Sequence, residues 1–148
     1  MKLRQITKKD FKWIIHHYID VFSSEPWNDE LTYEEIENYV LALFDMNTFI
    51  GYLAEIDGEN EPIGVSLGYI KPWFRGKEYH LDTFFITKNQ ESKGFGSQFM
   101  QLIKADLQLR NIPDIMLDTD KGMPAEKFYI KNGFETSEDA ILMFSGTK

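Results

Sequence analysis

The stretch ITKNQESKGFGSQFM, Ile86–Met100, links a run of β-branched and aromatic residues to an amphipathic run through two glycines, Gly94 and Gly96. Upstream, Glu78 to Ile86 reads as a long strand; downstream, Gly94 to Arg110 reads as a helix and Ile115 to Asp118 as a short strand. Strand, glycine loop, helix, strand is a crossover unit, which leaves two nearly parallel strands with the helix start between their ends. Backbone amides from Glu91 to Ser97 then point outward at a helix N-terminus, where the first N–H groups have no intrahelical acceptor. With glycines permitting close approach and Lys88 or Lys93 adding charge, the loop suits an anion such as a pyrophosphate; equally, taken alone, it could be a helix start with packing glycines. The third glycine of a dinucleotide fingerprint is missing, and no Gly-Lys-Ser/Thr follows as in a P-loop.

On the N-terminal side, Lys2 to Ile6 reads as a short strand, and Thr7 opens a helix with Phe11, Ile14, Ile15, Tyr18, Ile19 and Phe22 at helical spacing. After a polar, Pro-broken loop holding Trp27, a second helix starts with Thr32 as N-cap and Glu35 as its capping-box partner, and Ile36, Tyr39, Val40 and Leu43 form its apolar stripe. Thr48 to Ile56 and Pro62 to Ile70, joined by the turn signal DGENE, read as an antiparallel hairpin. Beyond the crossover, a short helix around Pro124 to Lys131 precedes a last strand near Ala140 to Phe144, with one further strand after Gly133. The expected class is α+β, a mixed sheet with helices on its faces, in one domain spanning residues 1–148.

Composition narrows the chemistry. The chain has no Cys, which removes disulfides, thiolate zinc sites and a thiol nucleophile, and 12 Phe, 7 Tyr and 3 Trp suffice for a core. The net charge of −8 is unevenly spread: Trp13 to Ile70 holds twelve acids and no Lys or Arg, so this block is −12 and the remainder +4. Such an acidic block favours cationic partners and disfavours nucleic acid, although most of these acids taken singly read as solvating helix faces and a turn. The N-terminal MKLRQITKKD is charged where a signal peptide needs an apolar stretch, and the longest apolar runs are far too short to span a bilayer. The expectation is a soluble cytoplasmic protein with no membrane partner. No spacing of His, Asp and Glu suggests a metal.

A second element, AEKFYIKNGF, Ala125–Phe134, places Ala125 one helical turn from Tyr129, leaving a groove with a phenol at its end; equally, Phe128 and Tyr129 could be core aromatics before a C-capping Gly133. Together the two elements resemble the GCN5-related N-acetyltransferase superfamily. Its cofactor motif, V-x-P-x-x-R-G-x-G-x-G, falls in register on Ile86, Lys88, Glu91, Ser92, Lys93, Gly94, Phe95 and Gly96, and N-x-x-A-x-x-x-Y-E-K-x-G-F falls on Gly122, Ala125, Tyr129, Ile130, Lys131, Gly133 and Phe134. Glu91 stands where the family has Arg or Gln, and Gly122 where it has Asn. The resemblance implies a mostly antiparallel sheet with a central splay and helices on both faces. It also implies acetyl-CoA as co-substrate, held by Phe85 and Ile86 at the strand end, by Glu91, Ser92, Lys93, Gly94, Phe95, Gly96 and Ser97 in the loop, and by Ala125, Phe128 and Tyr129. Tyr129 would protonate the leaving thiolate, and with no Cys present the acceptor amine would attack the thioester directly.

That amine must be neutral to attack, which calls for a base or a water chain. His80 and Asp82 lie two apart on the predicted strand, where family members place a catalytic Glu, and a bulge of the kind common in the family would swap faces near Thr83. Both are base candidates; equally, they are a surface residue and a structural hydrogen bond. The loop SEPWNDELTYEE, Ser24–Glu35, resembles that of the aminoglycoside 6'-N-acetyltransferase-like subset, which implies Trp27 as a stacking platform and Glu25, Asp29 and Glu30 as counter-ions, with Asp118 adding to an acidic pocket. Trp27 could as well plug the core beneath the loop. The expected activity is acetylation of a small cationic amine such as an aminoglycoside or polyamine; the alternatives are a peptide or protein N-acetyltransferase and a non-catalytic CoA-binding module. The family often dimerises, so a homodimer is compatible.

Overall fold

The computed structural model describes residues 1–148, which divide into two compact units, Met1–Asp118 and Thr119–Lys148. In the first unit the order is β1 (Lys2–Gln5), α1 (Phe11–Phe22), α2 (Tyr33–Phe44), β2 (Phe49–Glu55), β3 (Gly64–Trp73), β4 (Gly76–Ile86), α3 (Phe95–Leu109) and β5 (Asp114–Met116). Local chemistry sets several of these boundaries. The Thr7 N–H donates to Asp10 Oδ2 at 2.8 Å, shaping a short 3-10 turn ahead of α1, and Arg4 donates to both Asp10 oxygens at 2.9 and 3.0 Å. At α2 the Glu35 N–H donates to Thr32 Oγ1 at 3.2 Å, the N-cap expected from the sequence.

The five strands form one sheet in chain order, antiparallel from β1 through β4, with β5 parallel to β4. One face of the sheet packs on α1 and α2: Ile14, Ile15, Val21, Ile36, Val40 and Leu43 meet Leu53, Val65, Leu67 and Phe85. Each such buried side chain contributes about 1.5–3 kcal/mol of transfer free energy. On α3, Phe99, Met100, Ile103 and Leu107 are buried; Phe99 stacks on Phe84 with centroids 5.2 Å apart, and the Tyr52 hydroxyl donates to Asp106 at 2.6 Å. The neighbours Tyr52 and Leu53, and Phe84 and Phe85, thus serve opposite faces, as a period-2 pleat requires. The result is the α+β architecture expected from the sequence, with a mixed, mostly antiparallel sheet and helices on both faces.

Two irregularities shape the middle of the sheet. First, β4 and β5 pair only from Glu78↔Asp114 to His80↔Met116, after which β4 runs on to Ile86 while β5 has ended, so the two strands part. Second, the register between β3 and β4 slips: Leu67 opposes Thr83, but Gly68 opposes Leu81, leaving Asp82 as the extra residue of a bulge. Without the slip, His80 would share a face with Phe84. With it, His80 lies opposite Tyr69, on the face that carries Thr83 and Phe85.

In the second unit, α4 (Pro124–Lys131) ends at Asn132, with Gly133 in the left-handed region at φ 91°. The strand expected near Ala140 to Phe144 is not formed, nor is any strand after Gly133: residues 134–148 are without strand, and Ile141 and Phe144 are 81% and 88% exposed. The apolar run carries the propensity, but a strand exists only through a hydrogen-bonded neighbour, and this run pairs with none. The short crossover strand also begins and ends earlier than expected, at Asp114 and Met116.

Candidate active site

Where β4 ends, Phe85 is buried against the aromatic side of α1, with ring centroids 6.1 Å from Tyr18 and 5.9 Å from Phe22. The chain leaves the sheet through Thr87, whose N–H donates to the Ile63 carbonyl at 2.9 Å, and makes a 3-10 turn over Lys88–Gln90. Gln90 is buried and pins the loop from both sides: its amide donates to Glu59 Oε1 at 3.1 Å and accepts from Lys93 Nζ at 3.2 Å. Ser92 and Gly94 adopt φ 62° and 83°, and Gly94 is the N-cap of α3. A Cβ on Gly94 would meet nothing within 4 Å, so glycine is required there by backbone conformation, not by crowding.

The loop therefore delivers the first turn of a fifteen-residue helix, starting at Phe95 and Gly96, to the mouth of the parting strands. In the same loop, Lys88 Nζ donates to Ser24 Oγ at 3.0 Å and Lys93 Nζ to Gln90 Oε1 at 3.2 Å. The first N–H groups of a helix lack intrahelical acceptors, and that end carries the positive pole of the helix. Glu91 is exposed; its carboxyl is nevertheless held above the ordinary range by partial desolvation, with Lys88 pulling it down and Asp20 pushing it up.

Both base candidates lie on the α1/α2 side of β4. The Asp82 carboxylate, at the bulge, accepts a hydrogen bond from the Tyr39 hydroxyl of α2, and the same hydroxyl is 2.6 Å from Thr83 Oγ1. Asp82 is exposed whereas Thr83 is buried. His80 Nδ1 lies 3.3 Å from the Tyr69 hydroxyl, while its Nε2 is buried without a hydrogen-bond partner. The contact of Tyr39 with Asp82 is not visible in the sequence, where Tyr39 reads as part of the apolar stripe of α2. The available signal was its hydroxyl, which a buried stripe must satisfy somewhere.

The acceptor-side residues are partly arranged. Trp27 is half-buried against the core, edge-on to Phe22 at 5.0 Å, and so anchors the loop that Glu25, Asp29 and Glu30 decorate as exposed acids. Asp118 is exposed beyond the end of β5. His17 stacks on Trp13 at 4.3 Å, and burial depresses its basicity. No three His, Asp or Glu side chains stand close enough to hold a metal, and no helix is long and apolar enough to cross a membrane.

Within the second unit, Ala125 and Tyr129 lie one turn apart on α4, and the Tyr129 ring packs edge-on to Phe128 and Phe134 at 5.3 and 5.2 Å. Burial pushes the Tyr129 hydroxyl up to about 12, so at neutral pH it keeps its proton and can donate it.

Comparison with known proteins agrees with this fold. A possible acetyltransferase from Clostridium difficile 630 superposes with a TM-score of 0.82 at 15% identity, over 99% of this chain and 98% of its own. An aminoglycoside acetyltransferase from an uncultured soil metagenomic sample, solved with sisomicin, gives 0.72 at 15% identity over 99% and 96%. The aminoglycoside N-acetyltransferase AAC(6')-Iy, solved with CoA, gives 0.72 at 15% identity over 97% and 93%. No curated protein sequence matches. The sequence pattern of the acetyltransferase (GNAT) family matches residues 6–134, from the end of β1 through Phe134 of the second motif. A glycine-capped helix at the mouth of two parting strands is thus joined to a family-wide match, and the chain belongs to the GNAT family of acetyl-CoA-dependent N-acetyltransferases.

Proposed function

We propose that this protein transfers the acetyl group of acetyl-CoA to a primary amine of a small cationic acceptor, by direct attack, with residues 1–148 acting as one N-acetyltransferase domain. The observation that carries the acceptor reading is the exposed Asp82 carboxylate, set by the bulge on the side of the sheet served by the acidic α1–α2 region. Acetyl-CoA supplies the activated thioester; the chain supplies charge, alignment and proton traffic.

In this reading the α3 N-terminus, with Lys88 and Lys93, holds the pyrophosphate, and the loop from Glu91 to Ser97 lends its backbone. The departures at Glu91 and Gly122 leave this backbone cradle in place. Glu25, Asp29, Glu30 and Asp118 draw the cationic acceptor in by charge, and Trp27 offers the exposed part of its ring. The acceptor ammonium pairs with Asp82 and first loses one proton to solvent, which frees its lone pair; as the neutral nitrogen bonds to the acetyl carbon it turns cationic and acidic, and Asp82 takes its second proton. His80 is the less favoured base, because one ring nitrogen faces Tyr69 and the other is buried. As the carbon–sulfur bond breaks, the thiolate takes the Tyr129 proton. No covalent acyl-enzyme is needed, and the chain offers no thiol to form one.

Thiol release from acetyl-CoA, measured against aminoglycosides, polyamines and peptide N-terminal amines, tests the reading. Release with the first two classes is expected. Preference for peptides would replace the small-acceptor reading, and cofactor binding without release for any amine would make the protein a CoA-binding module.

A further inference from the structure

Three hydroxyl and carboxyl groups from two distant segments meet beside the bulge, and their protons can be assigned. Tyr39 has one hydrogen. Burial first, and the adjacent Asp82 second, hold its hydroxyl far above the ordinary phenol range, so it stays protonated wherever the enzyme works. That hydrogen goes to the Asp82 carboxylate, which accepts it through Oδ2. The 2.6 Å contact with Thr83 must then be donated by the threonine hydroxyl. A directed chain results: Thr83 O–H to Tyr39 O, and Tyr39 O–H to Asp82 Oδ2.

The bulge makes this chain possible. In a regular strand, neighbouring residues point to opposite faces, and one phenol could not reach both. With Asp82 as the extra residue, both turn toward α2. Thr83 is 5% exposed and fixed in the sheet, so the chain is anchored at its buried end and presents the carboxylate at its open end. The facing groups are Tyr18 of α1, whose ring lies 5.9 Å from Tyr39, and Asp82 itself on β4.

We infer that Tyr39 is a positioning residue for acetyl transfer, fixing the Asp82 carboxylate toward the acceptor amine through the Thr83–Tyr39–Asp82 chain. This rests on the reading of Asp82 as the proton acceptor. Tyr39 does not touch either substrate in this scheme; it removes the rotational freedom of Asp82 and leaves one carboxylate oxygen for the acceptor.

A double-mutant cycle on the full chain tests it, using the best amine from the panel. Asp82→Asn should lower kcat at least tenfold. Tyr39→Phe should lower kcat by about the same order while the KM for acetyl-CoA stays within twofold, and in the Asp82→Asn background it should cost nothing further. Thr83→Val should give a smaller loss of the same kind. If Asp82→Asn retains full kcat, the Asp82 reading itself falls, and the inference with it. If Asp82→Asn slows the enzyme but Tyr39→Phe does not, or the two losses simply add, the positioning role alone is overturned. Normal thermal unfolding of Tyr39→Phe is expected to accompany the loss; a protein that unfolds early and recovers its rate on cooling would mark a structural role and also overturn it.

Discussion

The two ends of the β4 story are built in different ways. Past Ile86 the candidate cofactor loop is made of backbone: φ values of 62° and 83°, a helix N-terminus and amides within one contiguous stretch. Before Phe84, the candidate base is made of side chains brought together across 43 residues, from α2 to the bulge. A receptacle built of backbone would tolerate changed side chains, Glu91 among them. A side-chain constellation has no such tolerance, since each hydroxyl or carboxyl is itself the working part.

The first way to break the comparison is to attack the backbone side at its conformational weak point. Gly94→Val forces a β-branched residue to φ 83°, a penalty of roughly 2 kcal/mol or more that the loop can escape only by unwinding the start of α3. The expected outcome is a 10- to 100-fold rise in the KM for acetyl-CoA, read by thiol release, while Glu91→Ala changes it less than threefold. Equal sensitivity of the two positions would refute the backbone account.

Next in size is Tyr129→Phe, expected to lower kcat by at least about tenfold with cofactor affinity nearly kept. Because the Tyr129 hydroxyl is pushed up to about 12, no loss of activity from its ionisation is expected below about pH 11. An unchanged rate in Tyr129→Phe removes it as the acid. Smaller still, neutralising Glu25, Asp29 and Glu30 together should raise the acceptor KM about fivefold at low salt, the range for exposed charges, with acetyl-CoA KM unchanged and the difference fading in high salt. If the two KM values move together, the division of charge by task is wrong.

The smallest effect probes the frame outside both sites. Burial alone would raise the Asp10 carboxyl, but hydrogen bonds from Arg4 and from the Thr7 N–H outweigh it and hold Asp10 below the ordinary carboxylate range. A depressed carboxyl contributes stability fully present above about pH 4 and lost as pH falls below it. Asp10→Asn should therefore lower the melting temperature by about 2–4 °C near pH 7, with wild type and variant converging below about pH 3. A gap that persists in acid would trace the loss to something other than this charge.

The contrast also explains what could be read from the chain alone. Helices α1 and α2, the β2–β3 hairpin and the crossover were legible because caps, turn residues and periodicity are local signals. The glycine loop was legible for the same reason. The terminal strand was misjudged because Ala140 to Phe144 shows propensity without a partner, and pairing is a property of two segments. Tyr39 was hidden because an amphipathic stripe describes where a ring goes and is silent about which carboxylate its hydroxyl meets. The bulge was anticipated as a change of face near Thr83, but its use, turning Asp82 and Thr83 toward one phenol, needed α2 in place.

Across from that bulge sits Gly68. A Cβ built there would lie 2.4 Å from the His80 carbonyl oxygen and 2.6 Å from the Tyr79 ring, both parts of the structure that cannot easily yield. Any other residue at 68 must lift the His80–Asp82 segment away from β3. On the proposed reading of Asp82 as the base, variation at this position would therefore redirect the carboxylate without altering a single group that reacts.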